Sequence, residues 1–316
     1  AAAIAAGADG ATVTVIEKNG EVGGDTLVCG AIYNTPDEKL QKEVTMTDTV
    51  KTTVEKALSE KPVSDEHKAL QAEVKKQWDK YKADGRTDLF DSKEWYALQT
   101  WINGDKVANL DLVKKLCYDS YDAYEWIKDD LGMGFDDKIS QGAGSLWQRT
   151  HTSTMKMGTG FISTYLDKIG AMDNVTIVTE ATGKSLVKTD GKITGVVCED
   201  KNGNEFTVTA NKGVVLSTGG FAANSKMVQE YNTSGKWDDL SKLMTTNRTS
   251  SSQGDGIVMA KEAGASLTDM EQIQLLYLGN TKDGQLTKYP PRDVNGTDQL
   301  IFINKNGERF VREDGR

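Results

Sequence analysis

The sequence AAAIAAGADGATVTVIEKNGEVGGDT, residues 1–26, decides the expected fold of the chain. Its first six residues are small and helix-favouring, Gly7 and Gly10 interrupt them, and ATVTVIE is typical of a β-strand that ends on the acid Glu17. This order matches the second half of a βαβ nucleotide-binding unit, in which the acid accepts hydrogen bonds from a ribose. Because no Gly-x-Gly-x-x-Gly occurs in the chain, an ordinary helix and strand would explain the stretch equally well.

Composition limits the classes of function. The chain has 316 residues, which is long for one simple domain and predicts two. With 38 Lys and Arg against 47 Asp and Glu, its net charge is −9, which argues against a nucleic-acid partner. No apolar run approaches the roughly 20 residues of a membrane span, so we expect none in this chain.

Cysteine and histidine are scarce. The three cysteines, Cys29, Cys117 and Cys198, are far apart and odd in number, which argues against a disulfide framework. The two histidines, His67 and His151, have no partner at metal-ligand spacing, so we expect no metal site. The chain also lacks a Gly-x-Ser-x-Gly elbow, so hydrolase chemistry is poorly supported.

A Lys- and Glu-rich stretch follows the opening and predicts a helical insert over about residues 36–145. Apolar residues recur in it at near-helical spacing, namely Leu70, Val74, Trp78 and Tyr81. Asn109 is typical of an N-cap, and a second helix is predicted from it towards Gly132. We expect these helices to form scaffold.

Strands return in the second half of the chain. VTIVTE at residues 175–180 predicts a strand, and a hairpin is predicted around Asp190 and Gly191. The run GVVLSTGG predicts a buried strand at residues 214–216, directly before the small residues 217–220. Such residues let backbone N–H groups meet a ligand at the carboxyl edge of a sheet, although a tight turn without ligand fits them too.

Five stretches in this order make the chain recognisable: VIEKNGEVGGDT (15–26), RTHTSTMKMGTGF (149–161), VVLSTGGFAANSKMV (214–228), TTNRTSSSQGDGIVMAKEAGASLTDMEQIQ (245–274) and IFINKNGERFVREDGR (301–316). Together they resemble the flavoprotein family that includes soluble fumarate reductases, the flavin domain of flavocytochrome c and urocanate reductase. The resemblance implies an α/β fold, with a Rossmann-like, glutathione-reductase-like FAD-binding domain at residues 1–270 and the first part of an α+β capping domain at residues 271–316. Because family members begin with a strand and a glycine-rich loop and continue through the capping domain, we expect a fragment that lacks that strand and loop and has a truncated capping domain.

The resemblance also implies which residues bind FAD. Glu17 is expected at the adenosine ribose, and Ala181 beside the adenine through its backbone. The other implied contacts lie along the pyrophosphate and flavin: Lys18, Gly23, Gly24, Asp25, Thr26, Gly30, Ala31, Thr218, Gly219, Gly220, Gly254, Asp255 and Gly256. Gly23 and Gly24 would equally suit an ordinary turn. Arg149 and His151 stand where relatives carry the same residue types, and each is as compatible with a structural role as with a flavin contact.

The reaction that the resemblance implies is reduction of a carbon–carbon double bond beside a carboxylate, by hydride transfer from flavin N5 and protonation of the other carbon. Such a site needs cations for the carboxylate and a proton donor in reach. In fumarate reductases that donor is an arginine shortly after a motif that Arg309 and Phe310 match; an ungapped count places it one residue beyond Arg316, and a one-residue deletion would place it at Arg316. Electrons are expected from an FMN-binding or haem-containing domain or protein.

Substrate choice is expected to depend on the segment after Gln274. Leu276 occupies the position of a carboxylate-binding histidine, so urocanate or another acrylate is expected rather than fumarate. Tyr277 and Asp293 match, loosely, a tyrosine and an acid that hold the imidazole of the substrate in urocanate reductase. A phenol and a carboxylate can both accept hydrogen bonds from the N–H groups of such a ring. Tyr277 would also suit a core position, and Arg292 would also pair with Asp293.

Two alternatives to this function stay open. A flavin dehydrogenase of the ketosteroid type would work in the oxidative direction and would want tyrosines and an apolar pocket. A truncated flavin domain without the phosphate loop would have no activity of its own.

Overall fold

A computed structural model describes residues 1–142, 145–245, 248–275 and 301–311 of the chain. It divides into two compact units. The first unit comprises Ala1–Val28 and Ile169–Arg316, and the second comprises Cys29–Lys168. The domain boundary expected at residue 270 stays a prediction.

The described residues form helices and strands whose bounds are as follows. The helices are α1 (Ala2–Ala8), α2 (Asp48–Ser59), α3 (Asp65–Ala83), α4 (Lys93–Asn103), α5 (Leu110–Glu125), α6 (Thr159–Gly170), α7 (Ser225–Glu230) and α8 (Asp255–Glu262). The strands are β1 (Val13–Ile16), β2 (Ile32–Asn34), β3 (Phe135–Ser140), β4 (Thr150–Ser153), β5 (Val175–Val178), β6 (Ala181–Thr189), β7 (Lys192–Asp200) and β8 (Glu205–Thr209). Short 3₁₀ turns cover Gly24–Val28 and Leu40–Glu43, and a π turn covers Trp126–Asp130.

The opening stretch of the first unit forms the predicted helix and strand. β1 pairs in parallel with β5, with Val13 opposite Val175. At Gly7 of α1, a Cβ would stand 2.7 Å from Cγ2 of Val175, so only glycine lets helix and strand approach this closely. Glu17 thereby stands at the carboxyl end of β1, as the sequence predicts.

Strands β6, β7 and β8 of the first unit form an antiparallel meander. The predicted hairpin is confirmed, because β6 and β7 are joined at Asp190 and Gly191, whose φ angles are 50° and 79°. Positive φ at both positions is what a two-residue hairpin turn of type I′ requires.

The strand predicted at residues 214–216 is wrong. Residues 213–220 carry no strand assignment, and the side chain of Val215 is 72% exposed. A strand exists only where a neighbour shares its backbone hydrogen bonds. In the part of the chain that the structure describes, we find no strand paired with these residues, so their apolar character alone did not produce one.

The second unit contains the predicted helices. In α3, Trp78 stacks on Tyr81 with ring centroids 5.0 Å apart, on the buried face that also carries Leu70 and Val74. Asn109 caps α5 as predicted, since its side chain accepts hydrogen bonds from the N–H groups of residues 111 and 112. A hydrophobic core shared by these helices therefore supports the unit.

A three-stranded sheet of order β2-β4-β3 completes the second unit. Tyr33 of β2 lies opposite His151 of β4, and its hydroxyl donates to the backbone oxygen of Ser120. Trp101 and Trp147 are buried, and each indole N–H donates to a backbone oxygen. All three aromatic side chains are therefore held by contacts within this unit.

Among the helices of the described ranges, none combines the length and the apolar character that crossing a membrane demands.

We predict that stability falls with acid because both histidines are buried. Burial lowers the pKa of His67 and of His151 from the ordinary value, so the folded protein binds these two protons at a lower pH than the unfolded chain does. As the pH falls below about 6.5, the unfolded chain binds protons that the folded chain does not, and each histidine removes up to about 1.4 kcal/mol per pH unit. Urea unfolding between pH 7.5 and 5 measures this effect.

The His67→Gln, His151→Gln double variant is the control, and its stability should depend less on pH over the same range. An equally steep dependence in the variant would show that other groups cause the acid sensitivity.

Candidate functional site

The carboxyl end of β1 brings together the two residues expected at adenosine. Oε1 of Glu17 accepts hydrogen bonds from the backbone N–H of Asn19 at 2.7 Å and from its side-chain amide at 3.1 Å. The backbone N–H of Ala181 donates to the backbone oxygen of Glu17 at 3.0 Å. The carboxylate is therefore held in place beside Ala181, although the two residues are far apart in sequence.

A second part of the site joins the turn at residues 23–26 to the loop at residues 248–252. Gly23 and Gly24 have φ angles of 118° and 47°, which favour glycine. Oδ1 of Asp25 accepts from the backbone N–H of Arg248 at 2.7 Å, and its Oδ2 accepts from the hydroxyl of Ser252. Asp25 thus fixes two stretches of chain against each other.

A third part of the site is the contact between residues 218–220 and the start of α8. The backbone N–H of Gly254 donates to the backbone oxygen of Gly220 at 2.9 Å. A Cβ on Gly256 would stand 2.1 Å from Oγ1 of Thr218, so no side chain fits there. The predicted Thr218–Gly220 and Gly254–Gly256 segments therefore lie in direct contact.

Charge around these segments is paired internally. Nζ of Lys18 lies 2.7 Å from Oδ2 of Asp255, which links the end of β1 to the first residue of α8. The guanidinium of Arg248 lies 2.7 Å from Oε1 of Glu21. Four separate stretches of the first unit, residues 17–18, 23–26, 218–220 and 254–256, are thus connected, and residues 23–26 join the others through the loop at residues 248–252.

The residues present fit a dinucleotide cofactor. Glycines in the contacting segments carry no side chain over the backbone, which suits the approach of phosphate oxygens to N–H groups. The hydroxyl of Ser251 is buried without a hydrogen-bond partner among the residues that the structure describes. Backbone donors, an acid at the end of β1 and an unused hydroxyl are what a large polar ligand such as FAD would need here.

Gly30 and Ala31 belong to the second unit, whereas the segments just described belong to the first. Ala31 is buried and has a φ of 55°, which is uncommon for a residue with a side chain. Its backbone N–H points at Sγ of Cys29, at 3.4 Å, and its backbone oxygen accepts from the N–H of Ser153 at 3.2 Å. Their expected closeness to the flavin stays a prediction.

Arg149 and His151 have partners within the second unit. Arg149 makes two hydrogen bonds of 2.8 Å to the carboxylate of Asp91 and lies 4.3 Å over the ring of Tyr96. Burial raises the pKa of Asp91, and the guanidinium opposes that shift. The ring of His151 lies 4.1 Å from that of Tyr124. Both side chains therefore support packing in this unit.

The predicted catalytic residues lie outside the described residues. They are Arg316, Tyr277 and Asp293, together with the substrate position Leu276. Within the described ranges, no group of three or more His, Cys, Asp or Glu side chains is placed to hold a metal ion.

Sequence reasoning missed the loop that precedes Gly254. Arg248, Ser251 and Ser252 contact or adjoin Asp25 and Gly24, yet none was assigned a role. The signal was the polar run TNRTSSSQ directly before the Gly-Asp-Gly turn. Short hydroxyl side chains beside a ligand-binding turn are candidate hydrogen-bond donors.

Comparison with known proteins places these features in context. The family model described as "FAD binding domain" matches residues 1–316. The NADH:acrylate oxidoreductase of Vibrio harveyi is 31% identical over 97% of this chain and 31% of its own length. The urocanate reductase of Eggerthella lenta is 26% identical over 99% of this chain and 44% of its own length. The chain thus spans less than half of either relative.

A solved structure shares the fold. The open conformation of a flavocytochrome c3 fumarate reductase superposes with a TM-score of 0.69 at 23% identity, over 100% of this chain and 46% of that one. The predicted α/β fold of the FAD-binding type is confirmed by this similarity together with the family match.

We predict that Gly256→Ala destabilises the first unit. Alanine would normally favour a helix, but its Cβ would overlap Thr218, which costs about 1–3 kcal/mol. Gly220→Ala is the matched control, because a Cβ there meets nothing within 4 Å. Urea unfolding should show a loss for the first variant alone, and adding Thr218→Gly should restore it. Equal stabilities of the two single variants would contradict the packing described.

We predict that Arg149→Ala destabilises the second unit by about 3–5 kcal/mol, because it leaves the buried Asp91 carboxylate without its counter-ion. Lys115→Ala is the control, since Lys115 pairs with Asp119 on the exposed face of α5 and its loss should change stability little. Denaturant midpoints compare the two. If the Arg149 variant were as stable as the Lys115 variant, the buried pair would not support this unit.

Proposed function

We propose that this chain, which belongs to the FAD binding domain family, is the flavin-binding part of an enzyme. That enzyme would reduce the carbon–carbon double bond of an α,β-unsaturated carboxylate. FAD is the cofactor that this family binds, as the sequence predicted. The observation that supports this proposal is that residues 17–18, 23–26, 218–220 and 254–256 are joined in one unit. The names of two relatives specify acrylate and urocanate as their substrates.

We assign cofactor roles in the first unit from this geometry. Glu17 would accept hydrogen bonds from the ribose, since it is fixed at the end of β1. Backbone N–H groups near Gly23 and Gly24 would face the pyrophosphate, where positive φ keeps the chain open to a ligand. The turn at residues 254–256 and the segment at 218–220 would support the remainder of the cofactor.

FAD, when bound, would take up electrons from the electron donor and supply a hydride to the substrate. The chain's own residues would hold that cofactor, and the substrate would be an acrylate-type acid. Two features support this class over fumarate. The relative whose name specifies acrylate is 31% identical over 97% of this chain. Leu276 has no donor for the second carboxylate that distinguishes fumarate from acrylate.

An electron donor is part of the proposal. The name of the Vibrio harveyi relative specifies NADH. We propose that electrons reach the flavin here from an FMN-binding or haem-containing domain or protein. Tyr277, Asp293 and Arg316 keep their proposed roles at the substrate, with Arg316 as proton donor only if the one-residue deletion applies.

Reoxidation of the reduced flavin tests the proposed function. The flavoprotein, reduced anaerobically, is mixed with acrylate, urocanate or fumarate, and the flavin absorbance is followed. We expect rapid reoxidation by acrylate or urocanate and slow reoxidation by fumarate, with propionate as an inert control. Reoxidation by fumarate alone would contradict the substrate class. Reduction of the oxidised flavin by a 3-ketosteroid, without reoxidation by any of these acids, would favour a dehydrogenase instead.

A variant at Leu276 tests the basis of selectivity. Leu276→His introduces a donor for a second carboxylate and should raise the rate of reoxidation by fumarate about tenfold, the effect of one charge-assisted hydrogen bond. Leu275→His, one position earlier, is the matched control and should not. A fumarate rate unchanged in both variants would show that selectivity is set elsewhere.

A further inference from the structure

The hydroxyl of Ser251 is buried and makes no hydrogen bond within the described residues. The residue is 8% exposed, and its Oγ has no hydrogen-bond partner within the ranges that the structure describes. Its backbone N–H, by contrast, donates to the backbone oxygen of Arg248 at 2.9 Å. A buried hydroxyl without a partner is unfavourable, so a molecule that accepts its hydrogen bond would be bound more tightly.

Ser251 lies between segments that already point to a cofactor. Its Oγ is 3.5 Å from the place where a Cβ of Gly24 would stand, so the hydroxyl lies directly behind the backbone of this turn. The neighbouring Ser252 lies against Gly219 in the same way, with its Oγ 3.3 Å from the position of that Cβ. The hydroxyl therefore faces bare backbone of the turn expected along the pyrophosphate and flavin.

Asp25 holds this loop in position. One carboxylate oxygen accepts from the N–H of Arg248 and the other from the hydroxyl of Ser252. Ser252 has a φ of 50°, a conformation that a residue with a side chain keeps only when its surroundings impose it. Both oxygens of Asp25 thus have protein donors, and its negative charge would repel a pyrophosphate placed against it.

We propose that Ser251 is a cofactor-binding residue whose hydroxyl donates a hydrogen bond to an oxygen of FAD, and that Asp25 is a positioning residue for the loop rather than a direct contact of the cofactor. This proposal depends on FAD binding, which is the property of the family, and does not depend on the substrate proposed above.

Ser251→Ala tests the first half of the proposal, with Ser250→Ala as the matched control because Ser250 is the adjacent, exposed serine. We expect Ser251→Ala to raise the dissociation constant of FAD about tenfold in a fluorescence titration, and Ser250→Ala to leave it unchanged. In the protein freed of flavin, Ser251→Ala should leave the melting temperature unchanged or raise it, because an unpaired buried hydroxyl is removed.

Two results would overturn the role of Ser251. One is an FAD affinity of Ser251→Ala within twofold of the wild type. The other is a lower melting temperature of this variant without flavin, which would show that the hydroxyl already has a partner in the protein.

Asp25→Asn tests the second half. If Asp25 acts through the loop, the variant binds FAD more weakly and the amides of residues 248–252 exchange hydrogen faster in the flavin-free protein. The Asp25→Asn, Ser251→Ala double variant should then bind FAD only slightly more weakly than the weaker-binding single variant. Both changes act through the same group, the hydroxyl of Ser251. Tighter FAD binding by Asp25→Asn, or additive losses in the double variant, would show that Asp25 contacts the cofactor on its own.

Discussion

The absence of side chains where backbone segments meet is the constraint on which the first unit depends. Gly256 touches Thr218 so closely that no Cβ fits between them, and Gly7 has the same role between α1 and β5. The first contact fixes α8 against residues 218–220 and the second fixes α1 against β5, while the Lys18–Asp255 ion pair links the end of β1 to the start of α8. Gly220 differs from these two glycines, because a Cβ there would meet nothing within 4 Å, and such bare backbone suits the approach of a large polar cofactor.

The second unit is supported by a different principle. Its helices share an aromatic core around Trp78 and Trp95, and one buried ion pair, Arg149 with Asp91, joins the segment before α4 to the segment before β4. Such a pair contributes through geometry more than through net energy, since burial removes much of the Coulombic gain. Arg149 and His151 thus pack inside this unit, and a flavin contact of either residue stays a prediction.

Much of this arrangement was predictable because it follows from local pattern. The acid at the end of β1, the spacing from Leu70 to Tyr81 and the cap at Asn109 each reflect one strand or one helix. The contact of Asp25 with Ser252 joins residues 227 positions apart, and no local pattern specifies it. The strand predicted at residues 214–216 was wrong for the converse reason. Apolar composition predicts a strand there, but a strand forms only where a neighbouring strand pairs with it.

The central claim is that the four joined segments of the first unit form the FAD site. Hydrogen exchange of the protein with and without saturating FAD, read by mass spectrometry, tests it most directly. We expect slower exchange on FAD binding in residues 17–26, 213–220 and 248–256 together, with little change in α3. Protection confined to other parts of the chain, with these segments unaffected, would contradict it.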